Sequence, residues 1–463
     1  MDDKNKLIRL KALHDRKHKV FLALSDLGLL ALAFVTVAGW RFQGDHSVLF
    51  IRWDFAFPLL ITLFSLYVFG AYDLSGQHRF RTLLLRYLLA VFVSFLLLLI
   101  ISYLFALGRE GLWGRGVLLG SLILYFILGA FNRTIFWKLI KREVLKKKYL
   151  VLISSNFFEA FNRDVQRTAL AGSFDFLIDL KSENSDMSRV VGAWDDYTVQ
   201  LADNYSKVIL APSGEFSSEV VKELLRGRVV GQDIEDLVDF YEVMFGKVPL
   251  FYLHEWLLIS TPGFYLNQSP VRYRMKRLFD VLFAGILFVL TLPVVLIAGL
   301  FVRITSPGDV LFRQTRVGRG GEDFEIIKLR TMMADAEKSG AQWAQTNDPR
   351  VTPLGKFLRA TRIDELPQLW NVLRGDMSMI GPRPERPEFT SMLEKELPFY
   401  SLRHSVLPGL TGWAQVLFPY GGSVEDAKDK LQFELYYIRN YSLWMDLRIV
   451  FQTIQVVMFG RGR

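Results

Sequence analysis

Two adjacent carboxylates, Asp364 and Glu365, stand at the entry to a short helix-like segment. Arg359 and Arg362 lie just upstream, and the proline-stiffened run Gly381-Pro382-Arg383-Pro384-Glu385 follows. Carboxylates, arginines and a rigid turn in one stretch suggest handling of a phosphorylated substrate. Two compatible readings stand side by side. As plain structure, Asp is a favoured N-cap, a first-turn Glu suits the helix dipole, and Pro367 is tolerated there. As chemistry, the same placement keeps both carboxylates ionised and aims helix N–H groups at a phosphate. An ionised Asp beside a diphosphate can attack phosphorus, and a neighbouring carboxylate can hold Mg²⁺ against the diphosphate charge. Lys328, Arg330, Arg362 and Arg383 would supply further positive charge. Lys328 and Arg330 alternate along a strand-like run and so share a face; a solvated strand edge has the same pattern. Adjacency alone allows either acid either role.

Other chemistries fall away. The chain has no cysteine, which excludes disulfides, thiolate metal sites and a Cys nucleophile. The six histidines show no paired metal-ligand spacing, and His254-Glu255 lacks the second His of a zinc-protease helix. A net charge of +9 fits either nucleic acid or anionic lipid headgroups. The long apolar runs favour lipid, so no nucleic acid is expected.

The elements that must hold such a site combine membrane and soluble parts. Hydrophobic residues make up 51% of the 463 residues while charged ones still reach 22%, a mixture unusual for a uniformly soluble enzyme. Four apolar stretches, roughly Val20–Trp40, Phe55–Gly70, Leu83–Leu107 and Val117–Ile140, each approach the length that crosses ~30 Å of hydrocarbon. The second is the weakest. Basic residues concentrate in the N-terminal tail, the Gln77–Arg86 loop and the Lys138–Lys148 segment. The positive-inside rule therefore puts the N-terminus and residue 141 onward in the cytoplasm. From Lys146, strand-like Tyr149–Ser154, Phe174–Leu180 and Lys207–Ala211 alternate with helix-compatible segments, the pattern of a doubly wound α/β domain. Its first turn, Ser154-Ser155-Asn156-Phe157-Phe158, has no glycine to let a phosphate approach. A structural or assembly role is expected in preference to nucleotide binding.

A second membrane element begins after Arg272–Arg277. The uncharged run Val281–Val302 is long enough to span, yet Pro293 near its middle must break or kink a helix. Both of its ends are basic, and positive-inside reasoning wants both cytoplasmic. A re-entrant helix satisfies both observations; a spanning one is the alternative. Asp309–Val317 and Asp323–Leu329 flank Gly318-Arg319-Gly320-Gly321, most simply a hairpin turn, with a phosphate-cradling loop as the alternative. Tyr436–Phe459 suits a helix lying at the membrane interface.

From Tyr273 to Gly462 the chain resembles the bacterial sugar transferase family, the monotopic polyprenyl-phosphate phosphoglycosyl transferases. The resemblance rests on Lys276-Arg277-Leu278-Phe279-Asp280, Ser306-Pro307-Gly308, Arg313-Gln314-Thr315-Arg316-Val317-Gly318 and Lys328-Leu329-Arg330-Thr331-Met332. It continues through Arg362–Val372, Gly381–Glu385 and Pro408-Gly409-Leu410-Thr411-Gly412-Trp413. The four N-terminal spans and the middle domain look like the family's long form, associated with exopolysaccharide assembly and often a homodimer. The resemblance implies a two-step reaction at the inner (cytoplasmic) membrane, on its cytoplasmic face; direct single-step transfer and a non-catalytic membrane scaffold for glycan assembly are the alternatives. Asp364 would attack the β-phosphate of a UDP-sugar and release UMP, and undecaprenyl phosphate would then take up the phosphosugar. Glu365 would be the metal ligand for Mg²⁺, and Pro293 the break in the re-entrant helix. Lys328, Arg330, Arg362, Gln368, Asn371, Arg383 and Glu385, within the matching motifs, would bind substrate.

The expected architecture is thus a membrane α-helical bundle (1–145), a Rossmann-like α/β domain (146–250) and a linker (251–271). An α+β catalytic domain (272–463) follows, anchored by a re-entrant membrane helix (279–303) in contact with membrane lipids.

Overall fold

The computed structural model describes residues 15–41, 56–72, 80–104, 115–168, 171–179, 189–260, 263, 269–333, 348–418 and 423–458. The basic tail up to residue 14 and the loops 42–55, 73–79 and 105–114, which carry much of the orientation argument, lie outside these. The chain divides into two compact units, Met1–Gly246 and Lys247–Arg463.

The first unit opens with helices α1 (Asp15–Arg41), α2 (Ala56–Val68), α3 (Phe80–Leu104) and α4 (Arg115–Lys146). Helices α1, α3 and α4 contain stretches long and apolar enough to cross a membrane. The expected second span is shorter than Phe55–Gly70. Helix α2 has 13 residues, about 20 Å at 1.5 Å per residue. It closes in a buried turn, Phe69–Tyr72, where Gly70 adopts a left-handed φ of 68°. Inside the bundle Arg133 of α4 grips Asp26 of α1 through both oxygens, at 2.9 and 2.7 Å. Both side chains are fully buried, and the guanidinium stacks on Tyr87 of α3 at 3.9 Å. Charges at such depth persist when paired in this way.

The same unit continues as β1 (Tyr149–Ile153), α5 (Ser155–Gln166), β2 (Phe174–Ile178), β3 (Val190–Ala193), α6 (Val199–Ala202), β4 (Lys207–Ala211), α7 (Ser218–Val229), β5 (Ile234–Asp236) and α8 (Leu237–Phe245). The strands form one parallel sheet in the order β3-β2-β1-β4-β5. Central β1 is buried along its whole length, which is why it reads as an unbroken apolar run. At the β1–α5 turn the Ser155 N–H donates to the Asp179 carboxylate at 2.8 Å. The Ser154 hydroxyl accepts from the Ser213 N–H and hydroxyl. The chain's own acid and serines thus occupy the donors that a nucleotide phosphate would meet in a doubly wound fold.

The second unit holds α9 (Glu255–Ser260), α10 (Pro270–Thr305), the antiparallel hairpin β6 (Leu311–Val317) and β7 (Asp323–Leu329), α11 (Pro353–Thr361), a 3₁₀ turn at Ile363–Glu365 and α12 (Gln368–Arg374). There follow β8 (Ser378–Ile380), α13 (Pro387–Glu396), a 3₁₀ helix at Tyr400–Ser405, β9 (Gly409–Thr411), α14 (Trp413–Leu417), α15 (Val424–Arg439) and α16 (Leu443–Met458). Short β8 pairs with β9 in parallel and contributes Met379 and Ile380 to the core. Val248 and Leu250 already belong to that core.

Two expectations change here. Of the break or kink expected at Pro293, the break is absent: α10 is helical over all 36 residues. A proline removes one N–H from the ladder, but long helical segments on both sides keep the cooperative structure intact. Nor is Tyr436–Phe459 a single interfacial helix. Tyr436, Tyr437 and Ile438 form the buried end of α15, Tyr441 sits in the break, and α16 begins only at Leu443. The aromatic run mixed core and surface positions.

Helix α10 is held by the core of this unit near its two ends. Lys276 pairs with Asp280 at 2.9 Å and with Asp446 of α16 at 3.1 Å. Arg277 donates to the Val372 and Leu373 carbonyls, capping the C-terminal end of α12. The Met379 N–H donates to Asp280, and Phe288 meets Trp370 at 6.2 Å between ring centroids. Farther along, Ala298 and Val302 pack with Leu329 of β7 and Leu358 of α11. The opposite flank, including Leu282, Ile286, Val289, Leu290, Leu296, Ile297 and Leu300, is exposed.

Candidate active site

The acidic pair is not a helix cap. Arg362 adopts a left-handed φ of 60° and ends α11. The chain then makes the 3₁₀ turn Ile363–Glu365, and α12 starts beyond Pro367 without a side-chain cap. Ile363 packs against the Ala298–Val302–Leu329–Leu358 cluster, so the turn carrying the pair is seated on helix α10.

The two acids meet opposite environments. Asp364 is buried, 8% exposed, and its Oδ1 has no hydrogen-bond partner. Desolvation, then the adjacent Glu365 charge, raises its pKa to about 6 against the pull of Lys328, Arg359 and Arg362. Glu365 is also desolvated, but cations outweigh that effect. Arg383 comes first, then Lys328 and Arg362, and together they hold its pKa at about 2. All three converge on Oε1, Arg383 Nη2 at 2.9 Å, Arg362 Nη1 at 3.4 Å and Lys328 Nζ at 4.0 Å. Lys328 itself is brought down to about 8, by desolvation and by Arg383 and Arg316, with Glu365 opposing.

The structure therefore brings together Asp364, Glu365, Lys328, Arg362 and Arg383. It uses other expected binding residues differently. Strand β7 ends at Leu329, and Arg330 donates to the Ser306 carbonyl at 2.7 Å in the turn after α10. A Cβ at Gly308, whose φ is 110°, would collide with that guanidinium. The Asn371 amide is committed to the β7 backbone, accepting from the Ile327 N–H at 3.1 Å and donating to the Glu325 carbonyl at 2.7 Å. Glu385 faces Arg316 at 3.8 Å. Gln368 is buried in the first turn of α12. Pro293 lies on α10.

Residues outside the expected set also reach the site. Arg359 donates to the Thr331 hydroxyl at 2.9 Å and acts on the Asp364 charge. Gln415 of α14 accepts from Arg383 at 3.3 Å through Oε1, while its amide nitrogen is buried without a partner. A polar residue just after the Gly412-Trp413 turn was visible in the sequence; its pairing with Arg383, 32 positions away, was not.

Chemically, this is an anion in a cage of cations beside a second carboxylate that is buried, basic for an acid, and unpartnered on one oxygen. Burial and charge thus push the two acids' pKa values in opposite directions. Among the described residues no group of three or more His, Cys, Asp or Glu could hold a metal ion alone. Two adjacent carboxylates with spare acceptor capacity instead suit a hard cation that arrives with phosphate oxygens.

Comparison with known proteins converges on the same segment. The family model described as bacterial sugar transferase matches residues 271–460. The chain is 46% identical over 221 residues to the UDP-N-acetylgalactosamine-undecaprenyl-phosphate N-acetylgalactosaminephosphotransferase of Aeromonas hydrophila, covering 48% of this chain and 51% of that protein. With the UDP-glucose:undecaprenyl-phosphate glucose-1-phosphate transferase of Caulobacter vibrioides it shares 46% identity over 200 residues, 43% of this chain and 74% of that one. The exopolysaccharide production protein PSS of Rhizobium leguminosarum bv. phaseoli is 40% identical over 195 residues, 41% of this chain and 97% of the relative. The match thus spans about half the length of the Aeromonas protein.

Proposed function

The chain belongs to the bacterial sugar transferase family, and we propose on that basis that it transfers a sugar 1-phosphate from a UDP-sugar to undecaprenyl phosphate. Asp364 attacks the β-phosphorus through a carboxylate oxygen. The bond from that phosphorus to the bridging oxygen breaks, and UMP leaves with the electron pair. An oxygen of undecaprenyl phosphate then attacks the same phosphorus, breaks its bond to Asp364, and restores the carboxylate. The product is an undecaprenyl-diphospho-sugar, the lipid-linked start of exopolysaccharide or O-antigen assembly. Neither step needs a general base, which agrees with a site built of cations and two acids.

The observation that carries this reading is the separation of the two acids. A pKa of about 6 leaves Asp364 mostly ionised at neutral pH yet more basic, and so more nucleophilic, than an ordinary carboxylate. Glu365, anchored at about 2 by three cations, is a poor nucleophile and a fixed charge. Glu365 would hold Mg²⁺, which would neutralise charge on the diphosphate and the leaving group. Lys328, Arg362 and Arg383 bind the diphosphate, and Arg359 orients the turn through Thr331.

The packing of α10 supports a helix that stays within one leaflet at the cytoplasmic face of the inner membrane. Its stretch from Lys276 to Val302 is about 40 Å long and carries core contacts at both ends. A perpendicular span would draw Asp364, Glu365, Lys328 and Arg383 into hydrocarbon, at several kcal/mol per charge. Placement along the interface exposes only the apolar flank to lipid and leaves the dyad where a soluble nucleotide sugar and a lipid phosphate meet. UMP release from a panel of UDP-sugars tests the function and names the sugar. Release that persists at the wild-type rate in Asp364→Ala overturns the nucleophile.

A further inference from the structure

The Arg383 loop is clamped by its carbonyls. Pro382 and Pro384 have no N–H, so the loop cannot tie itself down through those amides. Instead four consecutive carbonyl oxygens are each held from outside. Pro382 accepts from the Gly409 N–H at 2.8 Å and Glu385 from the Val317 N–H at 2.9 Å. The central two are held by arginine side chains. Arg403 Nη2 donates to the Arg383 carbonyl at 2.7 Å, and Arg316 Nη1 to the Pro384 carbonyl at 3.0 Å. Arg403 is buried, and its Nε and Nη2 grip both oxygens of buried Glu434 at 2.8 and 2.9 Å. Its Nη1 reaches the Tyr400 hydroxyl at 3.3 Å.

From this geometry we propose that Arg403, fixed by Glu434 and seconded by Arg316, is a positioning residue for the transfer. It fixes the backbone from which Arg383 reaches Glu365 on one side and Gln415 on the other. Arg403 touches neither acid. Its effect passes through a single atom, the Arg383 carbonyl oxygen. The planar guanidinium is needed because one group must bind a carboxylate with two nitrogens and still present a donor to that carbonyl. A lysine at 403 keeps the charge opposite Glu434 but cannot do both. This inference rests on the transferase reading for its consequence, though not for the clamp itself.

The test is a double-mutant cycle with an independent structural arm. In UMP release, Arg403→Lys lowers kcat by roughly 10- to 100-fold, the scale of a misplaced binding group. In an Arg383→Met background the same change costs less than about twofold, because the group it positions is gone. In hydrogen exchange of the intact protein, Arg403→Lys speeds exchange at the Gly409 and Val317 amides, which donate to the loop's outer carbonyls. Equal losses in both backgrounds, wild-type activity in Arg403→Lys, or unchanged exchange at those amides overturns the proposal. If Arg403→Lys does not accumulate as folded protein, Arg316→Gln releases the Pro384 carbonyl and is read by the same two arms. Absence of UMP release from the wild type contradicts the function reading, and the exchange arm still decides the clamp.

Discussion

Replacing Asp364 by Asn abolishes turnover and makes the protein more stable at alkaline pH. The wild-type carboxyl has its pKa raised from 3.8 to about 6 in the fold, so the folded protein holds this proton more tightly than the unfolded chain does. The associated stability is complete below pH 3.8 and is lost as pH rises through about 6, where the buried group must ionise. The difference corresponds to about 3 kcal/mol, and because Asp364 is only 8% exposed solvent screening removes little of it. Asn is a neutral isostere and carries no such cost. At pH 8, Asp364→Asn therefore unfolds at a higher temperature, by roughly 5–10 °C for a unit of this size, while at pH 4 the two proteins unfold together. Thermal unfolding in one detergent at a series of pH values measures this directly. An Asn variant no more stable than wild type at pH 8, or one whose advantage persists at pH 4, refutes the claim that the site holds its nucleophile in an unfavourable charged state.

The remaining predictions concern pH, charge placement and topology. The kcat/KM for the UDP-sugar falls tenfold per unit below about pH 6 as Asp364 protonates, and falls again above about pH 8 as Lys328 loses its charge; Lys328→Arg removes the alkaline limb while keeping the acid one. In the helical bundle, Asp26→Asn leaves Arg133 buried without its partner charge and costs about 3–5 kcal/mol, read as a lowered unfolding temperature, whereas the paired change Asp26→Leu with Arg133→Met recovers most of that loss. Cysteines placed near Arg274 and Arg303 in this Cys-free chain are both shielded from an impermeant thiol reagent outside the cell; labelling near Arg303 alone restores a spanning helix.

What was legible in the sequence follows from how local each signal is. The β6–β7 hairpin was readable because its glycines and both strands are contiguous, and Gly320 and Gly321 take the positive φ the turn needs. Buried β1, β2 and β4 announced a parallel sheet, but β3 and β5 did not, being edge strands of only four and three residues. Asp364-Glu365 was visible as a motif, yet its cap reading failed because nothing local marks Arg362 as left-handed. Lys328 and Arg330 looked equivalent, since alternation cannot reveal that the strand ends between them. Asn371, expected among the substrate-binding residues, ties α12 to β7, a contact its local sequence does not reveal. The Arg403–Glu434 pair, 31 positions apart, had no local signature at all. Burial and long-range charge pairing decide such cases, and both exist only in the folded chain.

The covalent step is the centre of the account, and mass spectrometry of the protein incubated with UDP-sugar and Mg²⁺, without lipid acceptor, tests it most directly. The account predicts UMP in proportion to enzyme and a phosphosugar on the peptide containing Asp364, discharged by undecaprenyl phosphate and absent in Asp364→Asn. A phosphosugar on Glu365 instead, or UMP released only once the lipid acceptor is present and with no adduct, contradicts it.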